Sequence, residues 1–180
     1  DVAQKILSSK GQAKIITGTN VFAHIDDVHA FMKTILSFLT DNGVFIFEAP
    51  YLGNLINLLE YDTVYHEHLS YLSLTPVIFL AEKFGMEVID VQERDIHGGS
   101  FRVFLARKNK YSINPRVAEF QEKEDKLNLA DSNTLSHFSY LVMKNREDLR
   151  KLLFELKSSG KKIAAVSTPA KGMTLLNYCK

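Results

Sequence analysis

The amino-acid sequence predicts an α/β fold in which a partly parallel sheet ends in an antiparallel hairpin and is followed by helices. Two observations favour this fold class. A strand, an amphipathic helix and a second strand follow one another between residues 13 and 47, which is the unit of a parallel sheet with a right-handed crossover. Two further apolar runs, 86–91 and 101–106, lie on either side of a glycine-containing turn, as in an antiparallel terminal hairpin.

The first unit begins with a predicted helix over residues 1–9, where apolar residues recur at helical spacing. Residues 13–17 form a short apolar run that suits a buried strand. Either Asp26 or Asp27 can cap the next helix, which carries its apolar stripe to about residue 39.

A turn signal, Asp41-Asn42-Gly43, separates this helix from the next strand. That strand, residues 44–47, is apolar throughout, which predicts burial on both of its faces. Residues 50–73 predict a long, tyrosine-rich loop with a helical piece around residues 55–59. Thr75 is the predicted N-cap of a further helix, with Pro76 in its first turn and Gly85 at its end.

The character of the sequence changes after about Pro115. Residues 119–125 predict a charged, solvated helix face, and residues 135–157 predict a long amphipathic helix. A new strand is expected over residues 161–166, and residues 168–172 turn into a last helix.

We place a domain boundary near residues 108–116. The predicted units are therefore a first domain over residues 1–108 and, over residues 109–180, a helical connector that leads into a second domain.

Composition excludes several functional classes. The 180 residues are 46% hydrophobic and 24% charged, as in an ordinary folded domain. A formal net charge of +1 gives no general field for nucleic acid or an anionic membrane, and no apolar run reaches the ~20 residues of a membrane span. The single cysteine, Cys179, can form neither an internal disulfide nor a zinc site alone. Without an initiator Met or a signal peptide, the chain is expected to be an internal piece of a soluble, cytoplasmic protein.

The densest group of chemically capable side chains lies in residues 61–71, which contain two histidines, two carboxylates and three tyrosines. This segment follows a predicted parallel strand, where α/β sheets place ligands. Histidine exchanges protons near neutral pH, a neighbouring carboxylate can hold its tautomer, and tyrosine can donate to a developing oxyanion. These residue types suit proton abstraction beside a carbonyl group, although a surface or structural role is as compatible with composition alone.

A metal site is an alternative interpretation of the same segment. In an extended chain His66 and His68 would point to the same side, as a pair of metal ligands does. A third ligand would have to be His24, Glu48 or His97, and no spacing rule selects one of them.

Other candidates follow the two parallel strands. Asn20 and His24 come after the first strand, and the segment from Glu48 to Tyr51 comes after the second. Each of these residues could equally start a loop or pack against a helix. The glycines of residues 97–100 permit a tight turn, and the sequence contains no glycine-rich nucleotide loop.

The order of six segments resembles the sugar C-methyltransferase family, whose members use S-adenosylmethionine to make branched deoxysugars from nucleotide-linked keto-sugars. The segments are NVFAHIDD, GVFIFEAPY, YDTVYHEHLSYLSL, GMEVIDV, HGGSFRV and TPAKGMTLLNYC. The combination is specific, whereas each segment alone is a weak signal. The resemblance is weakest over residues 109–157.

The resemblance implies a three-part protein with a zinc module, a class I methyltransferase Rossmann domain and a C-terminal Rossmann-like domain. Residues 1–108 would then be an incomplete class I methyltransferase sheet with a terminal antiparallel hairpin, and residues 109–180 would lead into the C-terminal unit. Zinc is expected only in a module that this chain does not contain. The glycine-rich loop and the acidic residue that holds the cofactor ribose would precede Asp1.

The resemblance also implies roles for individual residues. His68 would be the base that removes the proton beside the ketone, Glu67 would orient or polarise it, and Tyr65 would contact the sugar oxygens. The resulting enolate would take the methyl group in an in-line transfer, for which orientation is the main requirement. Asn20 and His24 would face the methionine end of S-adenosylmethionine.

Three more residues are expected to contact the nucleotide-linked sugar substrate, namely Tyr51, His97 and Lys171, with Lys171 placed at the diphosphate. The isolated chain is expected to be inactive. The strand over residues 13–17 has an exposed edge, which is expected either to associate with another copy or to pair with chain outside this sequence. Two alternatives stay open: a non-catalytic binding or assembly domain, and a methyltransferase that acts on oxygen or nitrogen.

Overall fold

A computed structural model describes residues 2–96, 98–166 and 169–180. The described chain forms one mixed four-stranded sheet in the order β1-β2-β4-β3. Helix α2 packs against β2, and α4 and α5 pack against β3 and against each other. The elements, in chain order, are α1 (Val2–Lys10), β1 (Ala13–Thr19), α2 (Val28–Phe38), β2 (Leu39–Pro50), α3 (Leu52–Asn57), α4 (Leu74–Lys83), β3 (Met86–Arg94), β4 (Ser100–Arg107), α5 (Arg116–Leu127), α6 (Ser132–Ser158) and α7 (Ala170–Tyr178).

The predicted strand–helix–strand unit is confirmed. β1 and β2 are parallel, and α2 connects them. Of the two candidate caps, Asp27 is the one used, because its carboxylate accepts the backbone N–H of Ala30 at 2.8 Å.

The predicted turn at residues 41–43 is wrong, because these residues lie inside β2. Ala13 of β1 pairs with Leu39, but Ile15 pairs with Val44, so the segment between them forms an irregularity in a continuing strand. Gly43 makes this possible, since a Cβ there would lie 2.8 Å from a methyl group of Leu39. The turn-forming residues thus produce a bulge.

Burial of β2 on both faces is also only partly observed. Phe45 and Phe47 are buried in the aromatic core, but the alternate residues Val44 and Ile46 are half-buried. The reason is that the described chain covers the second face of the sheet incompletely.

The predicted hairpin of β3 and β4 is confirmed, and β4 also pairs antiparallel with β2. One cross-strand pair of β2 and β4 is ionic. The Arg102 guanidinium donates from Nη2 to Oε2 of the buried Glu48 at 2.7 Å. Because the pair is hydrogen-bonded through two guanidinium nitrogens, the buried carboxylate is satisfied.

The expectation of a wholly solvated α5 face needs correction at Glu124, which is 5% exposed. Its carboxylate accepts the backbone N–H groups of Leu74 and Thr75 at the start of α4. Ser73, not Thr75, is therefore the N-cap residue, and a carboxylate from a distant helix satisfies the helix terminus. Gly85 follows the end of α4 with a φ of 67°, as expected for the glycine that ends a helix.

The long helix α6 is confirmed and begins three residues earlier than predicted, after the capping residue Asp131. The strand predicted over residues 161–166 is wrong, because these residues are exposed and pair with no strand in the described chain. An apolar run forms a strand only where a neighbouring strand offers its backbone groups. The last helix is present as α7, while Ser167 and Thr168 lie outside the described residues. The boundary near residues 108–116 stays a prediction.

Among the described residues, β1 has one neighbour, β2, and its other edge is unpaired. Ile15 on this strand is 62% exposed. In the same part of the chain, no helix combines the length and the apolar character needed to cross a membrane.

Candidate active site

A cleft of about 290 Å³ lies where β1 and β2 end. The two strand ends are joined there, because the N–H of Asn20 donates to the carbonyl of Glu48 at 2.8 Å. The cleft brings together six of the residues predicted to form the site, which are Asn20, His24, Tyr65, Glu67, His68 and Lys171. The carboxyl end of a parallel strand pair therefore carries the site, as in other α/β sheets.

The imidazole of His68 is held at both ring nitrogens. Nδ1 lies 2.8 Å from the backbone carbonyl of Thr63, and Nε2 lies 3.2 Å from the hydroxyl of Tyr65. A carbonyl oxygen can only accept, so Nδ1 carries the proton in the neutral ring. Nε2 is then unprotonated and is the atom able to take a proton.

Tyr65 supplies the second contact of this imidazole. Its ring centroid lies 4.3 Å from that of His68, with 38° between the planes. Burial, together with the nearby Glu67 carboxylate, raises the pKa of the Tyr65 phenol. The phenol therefore stays protonated at neutral pH and donates its hydrogen to Nε2 or to a ligand oxygen that replaces it.

Glu67 does not make the contact that was expected of it. Its carboxylate lies 3.9 Å from His66 Nε2, with 58% of the Glu67 side chain and 88% of the His66 side chain exposed. The group that orients His68 is the Thr63 carbonyl instead. Thr63 carries no sequence signal for this role, because every residue has a backbone carbonyl. Glu67 still lines the cleft.

Among the described residues, the geometry needed for the metal alternative is not observed. Residues 66 and 67 form a turn, so His66 points to solvent while His68 lies against Tyr65. Within residues 2–96, 98–166 and 169–180, no three His, Cys, Asp or Glu side chains are placed to hold a metal ion. His97, one of the possible third ligands, lies outside the described residues.

Asn20 and His24 form the wall beside His68. Asn20 has a φ of 54°, a left-handed conformation that asparagine tolerates better than most residues. Its side-chain oxygen is buried and has no hydrogen-bond partner. The His24 ring lies 5.0 Å from the His68 ring, nearly edge-on. The residues that line the cleft thus include an acceptor without a donor as well as the imidazole.

Lys171 reaches the cleft from the first turn of α7. It is also close enough to Glu60 to affect that carboxyl. Burial raises the pKa of Glu60, and the Lys171 charge opposes this rise. A cation from the C-terminal part of the chain therefore shares a cleft with the histidine of the first part.

Tyr51, predicted to contact the substrate, is 1% exposed and belongs to the core. Its ring packs against Phe101 and Phe120, with centroids 5.5 and 5.1 Å away. A side chain enclosed in this way cannot reach a ligand, so the structure assigns Tyr51 a packing role. The third predicted substrate contact, His97, lies outside the described residues.

Gly98 and Gly99 form a turn that packs against residues near the cleft. Gly98 and Gly99 have φ values of 86° and 112°. A Cβ on Gly98 would lie 1.7 Å from the Glu60 carboxylate, and a Cβ on Gly99 would lie 1.9 Å from Asn54. The turn therefore packs closely against α3 and the segment after it, which only glycine allows.

Comparison with known proteins gives two consecutive family matches. Residues 1–91 match a family described as a methyltransferase domain, and residues 95–180 match a C-methyltransferase C-terminal domain. The chain is 34% identical over 180 residues to the C-methyltransferase NovU of Streptomyces niveus. This alignment covers 99% of the chain and 43% of NovU, so the chain spans less than half the length of this relative.

Two solved structures are similar over part of the chain. The crystal structure of M1.HpyAVI covers 60% of this chain and 50% of its own, at 10% identity. The M1.HpyAVI-SAM complex covers 63% of this chain and 58% of its own, at 12% identity. Both have a TM-score of 0.37, and a likeness at that level carries no argument about fold or function.

Proposed function

Because the chain belongs to the S-adenosylmethionine-dependent C-methyltransferase family, we propose that it contributes the base and the substrate side of an enzyme that methylates a carbon. The proposed substrate is a nucleotide-linked keto-deoxysugar, methylated beside its ketone. The observation that supports the reaction is the His68 ring, which the Thr63 carbonyl holds with Nε2 unprotonated inside the cleft.

The proposed reaction begins with proton transfer to His68. Nε2 takes the proton from the carbon beside the ketone, and the C–H electron pair forms an enolate. The Thr63 carbonyl keeps its hydrogen bond to Nδ1–H while the ring becomes positive, which stabilises the imidazolium. Tyr65, freed from Nε2 by the substrate, donates to an oxygen of the sugar.

S-adenosylmethionine, when bound, supplies a methyl group on a positively charged sulfur. Transfer would form a carbon–carbon bond to the enolate as the methyl–sulfur bond breaks and its electron pair stays on the sulfur, so the task of the chain's own residues is to orient the sugar. The residues fit the cofactor in one respect. The buried Asn20 oxygen lacks a donor, and the ammonium group of the methionine end is a donor of suitable size. Asn20 and His24 are therefore the proposed contacts of that end.

Lys171 is the proposed contact of the nucleotide diphosphate. A lysine ammonium is a compact point charge that suits phosphate oxygens. Lys171 is a basic side chain that lines the cleft, and it reaches it from the family's C-terminal segment.

The assigned base is tested by His68→Ala in the full-length protein. We expect methyl transfer to fall by about a hundredfold to ten-thousandfold, since a positioned base contributes on the order of 10²–10⁴. Binding of S-adenosylmethionine should survive, because His68 is proposed to contact the sugar. The measurements are turnover with a nucleotide-linked keto-sugar and calorimetric titration with the cofactor.

The matched control is His66→Ala, which removes an exposed imidazole from the same loop and should leave turnover unchanged. Full activity of His68→Ala would contradict the assignment. A wild-type protein that binds the nucleotide-linked sugar but never methylates it would instead favour the non-catalytic alternative.

We also propose that the 180-residue chain alone is inactive. It contains the proposed base but no glycine-rich nucleotide loop, which in α/β sheets brings backbone N–H groups close to a nucleotide. The proposed contacts in the described part of the cleft, Asn20 and His24, serve one end of the cofactor.

A further inference from the structure

Lys171 lies near the start of helix α7, and the carboxyl end of this helix is hydrogen-bonded to helix α6. Arg146 Nε donates to the carbonyl of Tyr178 at 2.6 Å, and the guanidinium lies 5.4 Å from the Tyr178 ring. Arg150 donates to the next carbonyl, that of Cys179, at 2.8 Å. Basic side chains at the carboxyl end of a helix satisfy carbonyls that have no partner within it. The two helices therefore form one unit.

Within residues 61–71, Tyr61 contacts this unit. Its ring is 9% exposed and lies 5.6 Å from the Tyr178 ring. Its hydroxyl donates to Oδ1 of Asn145 on α6 at 2.9 Å. Burial raises the pKa of the Tyr61 phenol, so the hydroxyl keeps the proton that this hydrogen bond needs. One tyrosine thus contacts both helices.

The backbone connects Tyr61 to the proposed base through a short path. Tyr61 starts a 3₁₀ turn that ends at Thr63, and its carbonyl accepts the N–H of Val64 at 3.0 Å. The Thr63 carbonyl in turn holds His68 Nδ1. A displacement of Tyr61 therefore moves the group that orients the imidazole.

We propose that Tyr61 is a positioning residue that sets the placement of Lys171 relative to His68 by docking helices α6 and α7 on the 3₁₀ turn. The proposal rests on the function proposed above for the two residues that share the cleft. On one side of Tyr61 the path leads to His68, and on the other it leads through Tyr178 along α7 to Lys171. Reactions that depend on orientation lose rate when such a placement is loosened.

The test is a double-mutant cycle of Tyr61→Phe and Asn145→Ala in the full-length protein. Tyr61→Phe removes only the hydroxyl, and Asn145→Ala removes its acceptor from an exposed helix with no buried residues. We expect each single variant to lower kcat on the order of tenfold without changing the KM for S-adenosylmethionine. The double variant should lose no more than either single one, because both remove the same hydrogen bond.

A second measurement does not depend on turnover. In protein labelled with ¹⁵N-histidine, we expect the ring nitrogens of His68 to shift in both single variants, since the Thr63 carbonyl moves relative to Nδ1. The matched control is Tyr140→Phe, which removes an exposed hydroxyl from α6, the helix that carries Asn145. This variant should leave kcat and the His68 resonances unchanged.

Unchanged kcat, or unchanged His68 resonances, in Tyr61→Phe and Asn145→Ala would overturn the proposal. If the wild-type protein transfers no methyl group, the proposed function fails by itself, and the His68 resonances still decide whether Tyr61 positions the ring. A loss of folding in Tyr61→Phe leaves Asn145→Ala as the deciding variant.

Discussion

Glu124 accepts three hydrogen bonds at the start of α4. The N–H groups of Leu74 and Thr75 and the hydroxyl of Thr75 donate to it at 2.5, 2.9 and 2.8 Å. Because the carboxylate is buried, its removal would leave two helix-terminal donors without water or protein partners. The buried Glu124 carboxylate therefore stabilises the start of α4 by accepting hydrogen bonds from donors that would otherwise have no partner.

We expect Glu124→Gln to destabilise the protein by about 2 kcal/mol, since the amide NH₂ would face a backbone donor that it cannot accept. Urea unfolding followed by circular dichroism measures the change. Glu122→Gln, an exposed substitution on the same helix, should stay within about 0.5 kcal/mol of the wild type. Equal stability of the two variants would contradict the capping role.

At the scale of single residues, several side chains that line the cleft carry a sequence signal, whereas the contacts that support them do not. His68, Tyr65 and Lys171 were expected in one site and share one cleft, because strand ends and the loops after them meet at one edge of the sheet. The Thr63 carbonyl has no sequence signature, and Tyr51 looked like a ligand contact because its packing against Phe120 is a long-range property.

At the scale of elements, β1 is an edge strand of the sheet, as β3 is at the opposite end. Its N–H and C=O groups on the side away from β2 meet no strand in the described residues, and its side chains are half-buried or exposed. Unpaired edges of this kind bind other strands. β1 ends at Thr19, and the next residue, Asn20, lines the cleft.

We expect the 180-residue chain to self-associate through β1. Light scattering after size-exclusion chromatography should give a mass above that of one chain, and Ile15→Lys, which places a charge on the edge strand, should restore the monomer. Ile6→Lys on the neighbouring helix α1 serves as the control and should leave the association unchanged. A clean wild-type monomer would refute this expectation.

The predictions of elements succeeded where periodicity extends over several turns or pairs, as in α2, α6 and the hairpin. They failed at residues 41–43 and 161–166, where local residue types suggested a turn and a strand. The first segment lies within β2 because Leu39 and Val44, on either side of it, pair with β1. The second segment has no strand to pair with in the described residues. Both outcomes depend on pairing with strands that are distant in the sequence, which a short stretch of residues does not reveal.

At the scale of the whole molecule, the cleft combines residues that match two family segments. Asn20, Tyr65 and His68 come from the methyltransferase match, while Lys171 comes from the C-methyltransferase C-terminal match. Both segments therefore contribute residues to the cleft, and the cleft includes Lys171 because α7 packs beside it.

We expect the isolated chain to bind S-adenosylmethionine weakly, with a dissociation constant above about 1 mM, equivalent to less than about 4 kcal/mol. The reason is that the cleft offers Asn20 and His24 to one end of the cofactor and no nucleotide loop to the other. Isothermal titration calorimetry on the chain measures this constant. Micromolar affinity would refute the expectation.

The pairing of β2 with β4 has a consequence for the order of folding. Glu48 and Arg102, which face each other in this pairing, are 54 positions apart, and the loop between them contains the segment with Thr63, Tyr65 and His68. Closing a loop of this length costs entropy that is regained only when the strands pair. The segment over residues 61–71 lies inside this long-range loop, and it is expected to acquire its final geometry only after the central strands have joined.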